Sequence, residues 1–123
     1  MYLLEELEIY NLAQEDSDKI WKIVDGWDPF PKWRIGSQFT EAADSISSNI
    51  AEGYGRYFFK QQIVFCFYAR GSLMESKNWL FKARKRNLID DAILEELVND
   101  LRTIHKKLNS YVKRLKQEVR KVK

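Results

Sequence analysis

Apolar residues recur every three or four positions along most of the chain, and no stretch alternates steadily between apolar and polar. This period is typical of amphipathic helices and disfavours strands. Three breaks interrupt this period: Asp28-Pro29-Phe30-Pro31, Gly53-Tyr54-Gly55 and residues 86–90. In the third break, Asn87 is suited to the left-handed conformation that ends a helix, and Asp90 or Asp91 is suited to cap the start of the next one. The pattern predicts one all-α domain over residues 1–123, with helices at roughly 3–27, 37–52, 59–86 and 91–123.

The last predicted helix carries one narrow apolar stripe. Its members are Leu94, Leu97, Leu101, Ile104, Leu108, Tyr111, Leu115, Val119 and Val122. Alternating steps of three and four keep these residues within a narrow arc, as in coiled coils. This stripe indicates a bundle helix with a solvated outer face.

The third predicted helix has two opposed faces. One line holds Ile63, Phe67, Met74 and Phe81, and nearly opposite lie Phe65, Ala69, Ser72, Ser76, Trp79 and Ala83. A bundle helix needs one buried face, so a second favours packing against another copy of the chain, and we assign this interface to the first line. Loose packing of aromatic rings at the bundle edge is the alternative.

Gly71 lies in the interior of the same helix. Glycine there costs about 1 kcal/mol relative to alanine, which indicates a close backbone approach.

Composition narrows the class of protein. Apolar residues make up 45% of the chain and charged residues 32%, as in soluble globular proteins, and the net charge is +3. No apolar run approaches the roughly 18 to 20 residues of a membrane span, and the N-terminus does not resemble a signal peptide. A single cysteine, Cys66, excludes a disulfide framework. We therefore expect a cytoplasmic protein without a membrane partner.

Charge is segregated along the chain. Residues 1–28 hold eight acids and two lysines, whereas residues 101–123 hold nine bases and one acid. The predicted phosphate contacts are Arg102, Lys106, Lys113, Arg114, Lys116, Arg120 and Lys121, with Lys82, Arg84 and Arg86 as a second patch. When such a cluster binds a nucleic acid, counterions are released from the phosphate backbone, and this release favours binding. The alternative is that the bases only stabilise a helix C-terminus or pair with the acidic first helix.

Candidate catalytic chemistry is sparse. His105 is the only histidine, so neither a metal cage nor a Ser-His-Asp relay can draw on several imidazoles, and we expect no cofactor. Five polar residues instead predict a hydrogen-bonded clasp between the second and third helices: Asn49, Glu52, Arg56, Ser72 and Glu75. In it the Arg56 guanidinium would bridge two carboxylates. An active site built on Glu52 and Glu75 is the alternative, and it lacks a metal partner or nucleophile.

Two sequence blocks carry a family resemblance. They read Asn49-Ile50-Ala51-Glu52-Gly53 and Gly71-Ser72-Leu73-Met74-Glu75. Together with Phe30-Pro31 and Gln38, they resemble the four-helix-bundle family encoded in intervening sequences of bacterial 23S rRNA genes. The resemblance covers nearly the whole chain and implies an up-down-up-down antiparallel bundle that assembles as a homopentameric ring. The sequence departs from the family pattern at Phe39-Thr40-Glu41, where members often carry paired arginines.

The same family includes the accessory variability protein of diversity-generating retroelements, which binds nucleic acid and a reverse transcriptase. The resemblance and the charge pattern together predict a non-enzymatic oligomer that binds nucleic acid, either RNA or DNA, or a nucleic-acid-processing partner. The alternative is a scaffold that binds proteins only, through the outward face of the third helix.

Overall fold

The structure, a computed structural model, describes residues 3–122 and contains no strand in that range. Its four long helices are α1 (Glu8–Asp25), α2 (Ser37–Tyr54), α3 (Phe59–Lys85) and α4 (Asp91–Val122). Each of these helices overlaps one predicted helix over most of its length, so the four predicted helices are confirmed. The side chain of Val122 and the predicted helix end at residue 123 lie outside the described residues.

The segment between α1 and α2 is more helical than the sequence predicts. Pro29–Pro31 forms a helical turn, and Lys32–Gly36 forms a π-helical segment that runs directly into α2. The expected loop is wrong here because proline fits the first turn of a helix, where its missing N–H has no partner to lose. At the N-terminus, a separate 3-10 turn at Leu4–Glu6 precedes α1, which begins at Glu8 rather than near residue 3.

The connection between α3 and α4 confirms two predictions. Asn87 has a φ of 61°, the left-handed conformation expected of it. The Leu88 N–H donates to the Ala83 carbonyl (2.9 Å) and the Asn87 N–H to the Arg84 carbonyl (3.1 Å). These are the two hydrogen bonds of a Schellman motif. Asp90 then caps α4, since its Oδ1 accepts from the Ile93 N–H at 2.9 Å.

The four helices enclose one apolar core. α1 packs against α2 and α4, and α3 also packs against both of these helices. The predicted stripe of α4 supplies Leu97, Leu101, Ile104, Leu108 and Leu115 to the core, all of them buried. Val112, which the stripe omits, is buried too, whereas Tyr111 is half-buried. The arrangement is a four-helix bundle, and no helix within residues 3–122 is long and apolar enough to cross a membrane.

The small-residue face of α3 is the one that faces the core. Ala69, Ser76 and Ala83 are completely buried there. Near its start α3 lies so close to α2 that a Cβ added to Gly53 would stand 2.7 Å from the Cβ of Phe65. The predicted line through Phe67, Met74 and Phe81 consequently faces outward.

Candidate nucleic-acid interface

The basic side chains of α4 lie on its solvent-exposed surface. All seven predicted phosphate contacts on this helix are exposed: Arg102, Lys106, Lys113, Arg114, Lys116, Arg120 and Lys121. Among residues 3–122, only Lys121 of these seven pairs with a carboxylate, that of Glu118 at 2.9 Å. Arg102 donates to the Asn99 amide oxygen at 3.0 Å, and the Arg114 guanidinium lies 5.6 Å from the centre of the Tyr111 ring.

Six of these seven cations therefore keep their charge available. Arg102 and Arg114 contact a neutral amide and a ring, respectively. Lys106, Lys113, Lys116 and Arg120 form no ion pair with any carboxylate in residues 3–122. Unpaired cations that share one helix surface repel each other and attract polyanions.

The second predicted patch, at the end of α3, is partly neutralised. Arg84 forms an ion pair with Asp91, the first residue of α4. The hydrogen bond from the Arg84 guanidinium lowers the pKa of Asp91, and the carboxylate raises the pKa of Arg84. The Lys82 ammonium lies 4.9 Å from the Trp79 ring centre, and Arg86 is exposed. Arg84 thus joins two helices and offers less charge to a ligand than the α4 cations.

Ion pairs between α1 and α4 test whether the basic helix simply neutralises the acidic one. Among the bases of α4, only Lys107 pairs with an α1 acid, Glu8. The other contact runs in the opposite sense, with Lys19 of α1 bonded to Asp100 (2.7 Å) and Glu96 (3.3 Å) of α4. Its hydrogen bond to Asp100 raises the pKa of Lys19. Pairing with α1 therefore leaves most α4 bases free in the part of the chain that the structure covers.

A groove between α3 and α4 brings further cations together. Its volume is about 300 Å³, and its lining consists of Phe67, Arg70, Asn109, Val112, Lys113 and Lys116. The Arg70 guanidinium lies 4.8 Å from the centre of the Phe67 ring and donates to the Asn109 amide oxygen at 3.3 Å. The Lys116 ammonium lies 5.9 Å from the same ring centre. We name this site the cationic groove.

Sequence reasoning missed Arg70 and Asn109. Arg70 is on α3 and Asn109 on α4, so their contact depends on how the two helices are aligned. A partial signal was present, because Asn109, Lys113 and Lys116 follow one another at helical spacing and so share a face of α4.

The outward line of α3 leaves a row of large apolar side chains in solvent. Phe67, Met74 and Phe81 are 39%, 46% and 49% exposed. Ile63, predicted to share this line, is instead half-buried and packs against the core. The expectation that Gly71 marks a close backbone approach is wrong within this chain, because a Cβ added there would meet nothing within 4 Å.

The polar clasp between α2 and α3 forms only in part. The Asn49 amide donates to the Ser72 hydroxyl at 3.5 Å, and it also donates to the Ser45 carbonyl at 2.9 Å. Arg56 forms an ion pair with Glu52 at 2.6 Å, near the end of α2. The predicted bridge from Arg56 to two carboxylates is absent among residues 3–122.

The alternative active site is not brought together either. Glu75 is exposed and makes no hydrogen bond or ion pair within residues 3–122. Glu52 and Arg56 instead line an open depression with Ser48, Ala51 and Gly55. No cluster of three or more His, Cys, Asp or Glu side chains in the described range is placed to hold a metal ion.

A buried carboxyl group on α1 was not expected from the sequence. Asp16 is 1% exposed, and neither of its carboxyl oxygens has a hydrogen-bond partner among residues 3–122. Burial, reinforced by the charge of Asp100 and opposed by Lys19, raises its pKa to about 7. Burial likewise raises the pKa of Cys66 to about 11, which disfavours the thiolate form on which cysteine reactivity depends.

The fold and its surface define a class of protein: a helical bundle in which cations without a carboxylate partner in residues 3–122 lie on α4 and beside α3. The family model for the 23S rRNA-intervening sequence protein matches residues 5–110. The chain therefore belongs to the 23S rRNA-intervening sequence protein family.

A solved structure shares the fold. It is a crystal structure of a protein with unknown function from the S23 ribosomal protein family of Bacteroides thetaiotaomicron. The two chains are 23% identical with a TM-score of 0.76, and the match covers 85% of this chain and 98% of the other. None of the curated proteins compared with the chain matches it.

Proposed function

We propose that this protein is a non-enzymatic bundle that binds nucleic acid, or a partner that processes nucleic acid, through the exposed cations of α4. The observation that carries the proposal is the set of four cations, Lys106, Lys113, Lys116 and Arg120, which pair with no carboxylate in residues 3–122. A net charge of only +3 gives little long-range attraction, so binding would depend on this local concentration of charge.

We further infer an up-down-up-down arrangement of the helices. Two pairs of contacts support it. Glu8 pairs with Lys107, whereas Lys19, later on α1, pairs with the earlier α4 residue Asp100. Arg84, at the end of α3, pairs with the first residue of α4, whereas Arg70 contacts Asn109. In both helix pairs, moving forward along one helix corresponds to moving backward along α4.

We also propose that several copies assemble through the outward face of α3, as a homopentamer in keeping with the family resemblance. The exposed side chains of Met74 and Phe81 support this, since soluble monomers rarely leave such side chains uncovered, whereas Phe67 lies at the edge of the row and lines the cationic groove. Gly71 supports it too, because a glycine with no neighbour inside its own chain leaves room for another backbone. A ring would repeat the cationic surface of α4 in every subunit.

A salt titration tests the nucleic-acid proposal. Affinity for a dye-labelled single-stranded oligonucleotide is measured by fluorescence anisotropy at increasing salt, for the wild type and for Lys106→Gln/Lys113→Gln/Arg120→Gln. Each phosphate contact contributes about −0.7 to the slope of log K against log salt for a single strand, so the triple variant should flatten the slope by about 2. Wild-type affinity that does not change with salt would rule the proposal out.

The second candidate function is a scaffold that binds proteins only, and the exposed aromatic face of α3 favours it. In that case, proteins recovered with the tagged bundle should persist after nuclease treatment, and Phe81→Glu should release them. If the bundle binds nucleic acid directly, nuclease treatment should release the recovered material.

A further inference from the structure

The cationic groove holds three positive side chains and no acidic one. Arg70, Lys113 and Lys116 line it, and none of them pairs with a carboxylate in residues 3–122. Bringing like charges together is unfavourable unless an anion offsets the repulsion. The groove therefore has the charge of an anion site and no internal counterion.

Arg70 is held in position by neighbours that do not cancel its charge. The Phe67 ring lies under the guanidinium at 4.8 Å, and the Asn109 amide oxygen accepts one of its N–H groups at 3.3 Å. The guanidinium keeps further N–H donors, whose planar arrangement matches the oxygens of a phosphate. Fixing the side chain before binding reduces the entropy lost on binding.

The shape of the site favours one strand over two. The groove is a recess of about 300 Å³ between two helices, which has room for one phosphate with its sugar. A single strand can place a phosphate in such a recess and turn an unpaired base onto the neighbouring Phe67 ring, whereas the bases of a duplex are paired and stacked inside it. Phe67 is 39% exposed and offers an apolar contact to the adjoining sugar or base.

We infer that the cationic groove seats a backbone phosphate of single-stranded nucleic acid, with Arg70 as its main contact and Phe67 as the ring that positions Arg70. This inference rests on the proposed function and adds to it a site on α3, as well as a preference for unpaired strands.

The test compares Arg70→Gln and Phe67→Leu with the control Arg34→Gln. Arg34 is a matched control because its guanidinium also lies over a phenylalanine ring, 5.8 Å from the centre of Phe30, and it does not line the groove. Phe67→Leu keeps an apolar side chain on the outward face of α3, so sedimentation velocity should show unchanged assembly. Circular dichroism confirms that each variant is folded.

The probes are a dye-labelled oligouridine and a hairpin duplex of similar length. Arg70→Gln should weaken oligouridine binding about five- to tenfold and reduce the salt slope by about 0.7, whereas Arg34→Gln should change neither. Phe67→Leu should weaken it about two- to fivefold through the lost cation–π contact. Inorganic phosphate at the same phosphate concentration should fail to displace the oligouridine.

The outcomes separate this inference from the proposed function. If the wild type binds neither probe, the proposed function fails. If the wild type binds and the α4 triple variant does not, while Arg70→Gln and Phe67→Leu behave like Arg34→Gln, only the groove is wrong. If Arg70→Gln weakens binding of the hairpin as much as that of the oligouridine, the preference for single strands is wrong.

Discussion

At the scale of single residues, Asp16 is the most unusual side chain of the core. It occupies the buried face of α1 between Ala13 and Ile20, where an apolar residue is the norm, and its carboxyl oxygens have no hydrogen-bond partner in the described range. Burial favours the neutral acid and so raises its pKa to about 7. The folded protein thus holds a proton there that the unfolded chain releases near its ordinary value of 3.8.

This linkage predicts pH-dependent stability. Because the folded state binds the proton more tightly, the free energy of unfolding should fall as the pH rises from about 4 to about 7. The full effect is on the order of 4 kcal/mol, from about 1.4 kcal/mol per pH unit. Asp16→Asn should abolish most of this fall and stabilise the protein at pH 8, as measured by urea unfolding.

The exposed neighbour Glu15 provides the control, since Glu15→Gln should leave the pH dependence unchanged. An Asp16→Asn protein that loses stability as steeply as the wild type between acid and neutral pH would show that this carboxyl group is not responsible.

The buried position of Asp16 could be predicted from the sequence, but its lack of a hydrogen-bond partner could not. Asp16 follows Ala13 by three residues and precedes Ile20 by four, so helical spacing places it on the buried stripe of α1. The absence of a hydrogen-bond partner could not be predicted, because it depends on which side chains of the other helices reach the same layer.

At the scale of elements, the left-handed residue Asn87 ends α3 and directs the chain into α4. Asn87→Ala should destabilise the protein by about 1 kcal/mol, because alanine lacks the side-chain amide whose local hydrogen bonding lets asparagine adopt the left-handed conformation. Asn87→Gly should be close to neutral, since glycine adopts the conformation freely. Equal urea midpoints for Asn87→Ala and the wild type would contradict this role.

Two glycines, Gly71 on the outward face of α3 and Gly53 at the contact of α2 with α3, should respond to alanine in opposite ways. Gly71→Ala should stabilise the chain by up to about 1 kcal/mol, because alanine is the better helix former and its Cβ meets no neighbour within the chain. Gly53→Ala should destabilise it by about 1 to 3 kcal/mol, since its Cβ would stand 2.7 Å from that of Phe65.

Thermal unfolding at low protein concentration measures both changes. A destabilised Gly71→Ala protein at concentrations where the chain is monomeric would contradict the open face that the structure places there.

Elements were largely predictable from the sequence, whereas contacts between them were not. The stripe of α4 and the stop at Asn87 follow from local spacing and local conformation, so the sequence predicts both. The contact of Arg70 with Asn109 requires the alignment of α3 against α4, and the outward position of Phe67 requires knowing which face meets α2. No local rule provides that alignment.

At the scale of the whole molecule, the proposed assembly surface on α3 and the proposed nucleic-acid surface on α4 are neighbours. Phe81→Glu should dissociate the proposed assembly, because a charge on the outward face cannot be buried against a second copy without a partner. Trp33→Glu is the control, since Trp33 is an exposed aromatic residue outside α3.

Sedimentation velocity distinguishes the two variants. Wild-type protein and Trp33→Glu should sediment as the same assembly, and Phe81→Glu as a monomer. A wild type that is monomeric at every concentration would contradict assembly through α3.

The proposed function depends on one question, namely whether the cations of α4 act by their position or only by adding net charge. The most direct measurement compares two triple variants that remove the same charge. One is Lys106→Gln/Lys113→Gln/Arg120→Gln on α4, and the other is Lys22→Gln/Arg34→Gln/Lys60→Gln elsewhere on the surface. We expect the α4 variant to lose most affinity for a single-stranded oligonucleotide and the other variant to bind like the wild type. Equal losses in the two variants would contradict a specific nucleic-acid surface on α4.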